Sequence, residues 1–192
     1  MEGAGFSSLY ATSANAVRPR QVGRYYAAAG VGIGSATVLR GRLYPNFLEP
    51  QNTAWSIDQV SVNVQTAVAA QTFGIALYEV LENGNLGAVL ASLGTPSDIS
   101  TTGQKDITVS FSIPANTPAY LTGLCIGGAS DPAFRCYRAS VQYLGHDTAA
   151  NALGATSPAG NMVSGGGLSA FAANPTVSTW AGSGPIMAYR VA

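Results

Sequence analysis

The stretch AAAGVGIGSATVLRGR, residues 27–42, sets Gly30, Gly32 and Gly34 at alternate positions among small apolar residues, with Arg40 and Arg42 behind them. Closely spaced glycines can cradle a phosphate when a helix N-terminus stands behind the loop. The dinucleotide pattern G-x-G-x-x-G fails from either start, because Ser35 and Thr37 occupy the place of the third glycine. A P-loop requires Gly-Lys-Ser/Thr, and the sole lysine, Lys105, follows Gln104. No helical pattern follows the glycines either. The stretch reads as a strand-to-strand connection whose glycines let chains approach closely.

Acyl-transfer chemistry fares no better. His146 is the one imidazole in the chain, and no G-x-S-x-G turn exists to present a serine to it. It reads as a loop histidine beside Asp147, open to a role in ligand contact. Glycoside hydrolysis needs two acids roughly 5–10 Å apart. Asp58, Glu79, Glu82, Asp98, Asp106, Asp131 and Asp147 are available, but spacing does not say which converge. Glu82, Asp98 and Asp131 each adjoin Asn, Ser or Pro and read as turn formers. Two cysteines with one histidine make no structural zinc site, and no D-x-D-x-D-G run supports calcium. The expectation is a protein without catalysis, metal or cofactor.

Charge is scarce: 9% of residues are Asp, Glu, Lys or Arg, against about 25% in an ordinary soluble domain. Nine positive charges cancel nine negative ones, so no global field draws nucleic acid or an anionic membrane. A surface so poor in charge favours self-association, and copies of the chain are expected to cover much of it. Arg18, Arg20, Arg24, Arg40 and Arg42 cluster in the first quarter. Arginine forms interfacial pairs better than lysine does. Arg40 and Arg42, two apart, are placed on one face of the next strand, meeting a neighbouring subunit rather than a phosphate.

No segment reaches the ~18 apolar residues of a membrane span. The N-terminus lacks the basic start and apolar stretch of a signal peptide, so synthesis in a cytoplasm is expected. Cys125 and Cys136 bracket IGGASDPAFR. A hairpin there would set them on neighbouring strands within reach of a bridge, while cytoplasmic synthesis favours two buried free thiols.

The elements that must position these residues follow a period of two. IDQVSVNVQT alternates Ile57, Val60, Val62 and Val64 with polar partners, and KDITVSFSI does the same with Ile107, Val109, Phe111 and Ile113. FGIALYEVL and AVLASLG flank Asn83-Gly84, a tight hairpin signal. AYLTGLCIG, AFRCYRASVQY and the C-terminal PTVSTWAGSGPIMAYRVA share the same short, turn-bounded character, the last closing the sheet on Ile186, Ala188 and Arg190 or their alternates. At least seven strands and no convincing helix predict an all-β chain, an antiparallel, jelly-roll-like β-sandwich over residues 18–192. Residues 1–17 read as an extended arm, with Phe6 and Tyr10 available to a neighbouring chain. Residues 145–167 read as one long loop of small residues.

Aromatic faces among amides and hydroxyls suit binding surfaces. Trp55, Tyr78 and Phe111 are assigned to the core or a subunit interface. The ligand-contact candidates are loop residues: Tyr143, His146, Asn151, Asn161, Phe171 and Trp180.

The order of segments GRYYAAAG, LRGRLYPNFLEPQNTAWSIDQVSVNVQTA, FGIALYE, NGNLGAVLASLGTPSDISTTGQKDITVSFSI, AYLTGLCIGGA and WAGSGPIMAYRVA resembles the β-sandwich domains of tailed-bacteriophage fibre and spike proteins. The resemblance covers residues 20–192 and is carried by structural motifs. It implies a homotrimer on a virion surface that attaches to host-surface glycans, with no catalytic residues to carry over. The arm would anchor it to other virion proteins. This chain has no triple-helical or coiled-coil shaft, which leaves a second role open: a capsid decoration or fibre-base protein that binds other virion proteins.

Overall fold

The computed structural model describes residues 20–27, 30–140, 161–164, 166–175, 177–180 and 184–192, with backbone alone at 30–33, 137–140, 161–164 and 177–180. Thirteen strands and no helix make up the described chain. They are β1 (Tyr25–Ala27), β2 (Gly30–Thr37), β3 (Leu43–Leu48), β4 (Trp55–Thr66), β5 (Gln71–Val80), β6 (Leu86–Ser92) and β7 (Ser97–Asp98). The rest are β8 (Gly103–Ile113), β9 (Ala119–Gly127), β10 (Ala133–Ser140), β11 (Asn161–Ser164), β12 (Val177–Trp180) and β13 (Ala188–Val191).

Two antiparallel sheets form the expected sandwich. The first has the order β1-β13-β4-β10-β2, with β8 along the other side of β4. The second has the order β3-β9-β5-β6, with β7 also on β5, and β11 and β12 form a separate pair. Between the two sheets lies one core. Val60, Val62 and Val64 of β4, Ile107, Val109, Phe111 and Ile113 of β8, and Met187, Tyr189 and Val191 face Tyr44, Leu48, Phe73, Ile75, Leu77 and Leu121. The alternation in β4 and β8 thus resolves into one apolar face and one polar face. At the C-terminus the alternate set is the buried one: Met187, Tyr189 and Val191, with Ile186, Ala188 and Arg190 half-exposed.

The second sheet is apolar on both sides, as β5 and β9 are buried along nearly their whole length. Leu43, Ala76, Tyr78, Leu86, Tyr120 and Leu124 form a second cluster on its outer face. Residues 166–175 strap that face. The Leu168 amide donates to the Gly41 carbonyl at 2.9 Å, the Asn174 amide to Gly87 at 3.0 Å, and the Tyr78 hydroxyl to the Ala172 carbonyl at 2.9 Å. Gly41 is required here. Its φ is +65°, and a Cβ would stand 2.8 Å from the amide nitrogens of Gly167 and Leu168.

Three expectations change, and one open alternative closes. The glycine-rich stretch is a strand, β2, paired with β10 from Thr37↔Ala133 to Gly30↔Ser140, rather than a connection. Arg40 and Arg42 precede β3 in a tight turn and so do not share a strand face. The segment IGGASDPAFR is no hairpin: β9 and β10 belong to different sheets. And β11 interrupts the long loop predicted over 145–167. The arm of residues 1–17 lies outside the described residues. At Asn83-Gly84 the hairpin is as expected, with Gly84 at φ +79° and its carbonyl accepting from the Tyr120 hydroxyl at 2.7 Å.

Cys125 and Cys136 are both free and buried in the core between the sheets. Burial holds the Cys136 thiol up at about 12 and pushes Cys125 up as well, so thiolate is scarce at neutral pH. An aromatic disulfide reagent at pH 8 is therefore expected to label neither thiol in the native protein and both after denaturation. Prompt native labelling would contradict the burial of these thiols.

Candidate polar face of the six-stranded sheet

The outward residues of the first sheet assemble a continuous polar surface. Register places Tyr25 beside Arg190, Arg190 beside Gln59, and Gln59 beside Thr108, one row across four strands. The next row runs Ala27, Ala188, Ser61 and Asp106, and a third sets Asn63 against Gln104. Further along β8, Ser110 and Ser112 are exposed on the same side. Four strands from the two ends and the middle of the chain are needed to build this face.

Hydrogen bonds fix its side chains. Arg190 grips Asp58 with Nε and Nη2, each at 2.9 Å, a bidentate pair in a partly exposed setting. The Tyr25 hydroxyl donates to Gln59 Oε1, and the Arg190 guanidinium lies 5.9 Å from the Tyr25 ring centroid. Asp106 accepts from the Ser61 hydroxyl at 2.6 Å and from Gln104 Nε2 at 2.8 Å. Gln65 donates to Asn63. Tyr25 remains 48% exposed, one of few large hydrophobic residues so placed among the described residues. A flat aromatic surface bordered by oriented amides, hydroxyls and one ion pair offers stacking and hydrogen bonds to a polar, neutral ligand.

The carboxylates here are held in their charged form. The hydrogen bond from Arg190 lowers the Asp58 pKa, and those from Ser61 and Gln104 lower that of Asp106. In a turn off this face, the Ser100 amide lowers that of Asp98. Groups depressed on folding contribute stability that is complete above their unfolded pKa of about 3.9 and is lost as pH falls through their lower folded values. The urea midpoint is therefore expected to stay level on this account down to about pH 5 and to drop below about pH 4. Asp106→Asn is expected to flatten part of that drop, and an unchanged acid limb in that variant would contradict the assignment.

The residues singled out from sequence are distributed otherwise. Asn161 and Trp180 stand opposite each other as register partners of β11 and β12. Phe171 sits in the strap, edge-on to Tyr78 with ring centroids 6.3 Å apart, and closes over Gly74. It belongs to the outer apolar cluster. Tyr143, His146 and Asn151, like Phe6 and Tyr10, lie outside the described residues. Arg40 is exposed and bonds to its own chain: its amide and Nε reach Asp131 Oδ1 at 2.9 and 3.3 Å, and Nη1 donates to the Gly128 carbonyl. Asp131 is thus more than a turn former, since it ties the β2–β3 turn to the β9–β10 connection. Arg42 is half-buried beside Gly166, where the strap begins. Of the core assignments, Tyr78 and Phe111 are buried and Trp55 is packed against the core. Among the described residues no three His, Cys, Asp or Glu side chains gather as a metal site would require.

The polar face carries no motif in the sequence, because its members are ordinary polar residues. Alternation in β4 and β8 marks Gln59, Ser61, Asn63, Gln104 and Asp106 as outward, which was the available signal.

No protein-family model matches the chain, and neither does any curated protein. Among solved structures, it is similar to a chain of infectious bursal disease virus, Gt strain, over 58% of its length and 29% of the viral chain, at 13% identity and a TM-score of 0.36. A chain of the Gx strain of the same virus aligns over 88% of this chain and 38% of that one, at 14% identity and a TM-score of 0.33. The chain spans less than two fifths of either viral chain, and both likenesses are remote in sequence and in shape.

Proposed function

We propose that the chain is a virion surface protein that binds host-surface glycans, without catalysis, through the outward face of its six-stranded sheet. The observation that carries this reading is the exposed Tyr25 ring, set in a lattice of amides and hydroxyls with the Arg190–Asp58 pair beside it. A sugar ring presents C–H groups on its faces and hydroxyls around its rim. Tyr25 meets the first, while Gln59, Thr108 and the Arg190–Asp58 pair meet the second. Two of the segments that resemble phage fibre and spike domains, GRYYAAAG and WAGSGPIMAYRVA, supply Tyr25 and Arg190. The loop residues Tyr143, His146 and Asn151 remain candidates for a second contact region.

One such face binds weakly. Three copies in a homotrimer, and many trimers on a particle, raise the effective strength by avidity without any new contact. The low charge of the chain agrees with extensive burial between copies.

An array of host-envelope glycans tests the proposal. Retention on a defined subset is expected, with Tyr25→Ala weakening it about tenfold, the share of one aromatic contact. If no glycan is retained and particles lacking the protein adsorb normally, attachment is refuted. Release of the protein from particles when residues 1–17 are deleted would then favour the decoration or fibre-base role.

A further inference from the structure

At the opposite side of β1 the chain builds a different kind of site. Tyr26 and Tyr189 stack with centroids 6.0 Å apart, and Trp55 lies 5.8 Å from Tyr189. Arg20 fills the space they enclose. Its guanidinium carbon is 4.5 Å from the Trp55 ring centroid, 5.4 Å from Tyr189 and 5.9 Å from Tyr26. Nη1 donates to the Glu49 carbonyl at 3.0 Å. Among the described residues Arg20 makes no ion pair, so ring faces, the Glu49 carbonyl and a side-chain hydrogen bond with Tyr189 hold its charge. Trp55 Nε1 is buried without a hydrogen-bond partner among them, an unused donor in the wall of the socket. A peptide carrying an arginine brings the cation that the three ring faces hold.

One reverse turn connects the plug to the sandwich. The Arg24 amide donates to the Gln21 carbonyl at 3.2 Å, Gly23 takes φ +75° with open space around it, and Val22 is 76% exposed. Beyond the turn, the Gln21 amide reaches the Tyr26 hydroxyl at 2.8 Å. Opening this turn breaks the Arg24–Gln21 and Gln21–Tyr26 hydrogen bonds and withdraws Arg20 from its own socket, and the same contacts re-form when the segment docks on a second copy. Exchange of a terminal segment about such a hinge is a low-cost route to association of identical chains.

We propose that the Tyr26–Trp55–Tyr189 socket is a binding site for a peptide-borne arginine, and that Arg20 of a second copy of this chain fills it in place of the chain's own. The second copy is the occupant because its arm brings the same guanidinium with the same flanking residues that already fit. The proposal does not depend on glycan binding.

Arg20→Ala protein has an empty socket, and Trp55→Leu protein has a plug but no intact socket; Tyr26→Leu serves if Trp55→Leu does not fold. In a Trp180→Phe background, Trp55 fluorescence of Arg20→Ala protein should respond saturably to an acetylated peptide spanning residues 16–24. The same peptide with citrulline at position 20 should bind at least tenfold more weakly. Mixing Arg20→Ala with Trp55→Leu protein should give a complex in sedimentation that neither forms alone. Absence of saturable binding, equal binding of the citrulline peptide, or failure of the mixture to associate each overturns the proposal.

Discussion

Gly123→Ala is expected to lower the stability of the chain by about 3 kcal/mol, at the upper end of what overpacking costs. Gly123 lies in β9 at the middle of the second sheet, paired with Ile75 on one side and Tyr44 on the other. A Cβ built there would stand 2.4 Å from Phe73 Cζ and 3.1 Å from Met187 Sδ. Phe73 is fully buried and has no free volume to retreat into. The missing side chain of Gly123 is therefore the space that the Phe73 ring occupies. Urea denaturation reads the loss directly, and Phe73→Leu in the same chain should recover part of it. A loss under about 1 kcal/mol would contradict this packing.

Phe134→Ala is expected to cost still more, about 4 kcal/mol, or a fall of roughly 8–16 °C in Tm for a chain of this size. Phe134 is fully buried on β10 of the first sheet, and its ring meets Phe73 of the second sheet at 5.4 Å between centroids. The contact joins the two layers, so its loss opens a cavity where neither sheet can close on the other. A double-mutant cycle with Phe73→Leu and Phe134→Leu should show coupling of about 1 kcal/mol. Additive effects would mean that the rings do not touch.

What the sequence reveals about this fold depends on whether a strand is covered on one side or two. β4 and β8 bury one face each, and their period of two is plain in IDQVSVNVQT and KDITVSFSI. β5 and β9 bury both faces, so FGIALYEV and AYLTGLCIG are near-continuous apolar runs that do not disclose two clusters. The cover over the second cluster comes from Leu168 and Phe171, far downstream, and no local pattern ties them to Tyr78 and Tyr120. Phe171 read as a ligand candidate for that reason.

The glycine-rich stretch shows the same limit. Gly30, Gly32 and Gly34 have poor strand propensity, yet pairing with β10 makes their segment the edge of a sheet. Cys136 lies opposite Gly34 in that pairing, so the two cysteines approach the core from different sheets.

The polar face was half legible. Gln59, Ser61, Asn63, Gln104 and Asp106 follow from alternation, but Tyr25 and Arg190 reach them only because β13 inserts between β1 and β4. Topology joins the two ends of the chain there, and a local reading of either end does not show it.

The most direct measurement is backbone-amide NMR of the protein titrated with a glycan that it retains. The account predicts saturable shifts centred on Tyr25, Gln59, Thr108 and Arg190, spreading along β4 and β8, and their loss in Tyr25→Ala. Shifts confined to residues 141–161, with none on the six-stranded sheet, would contradict it.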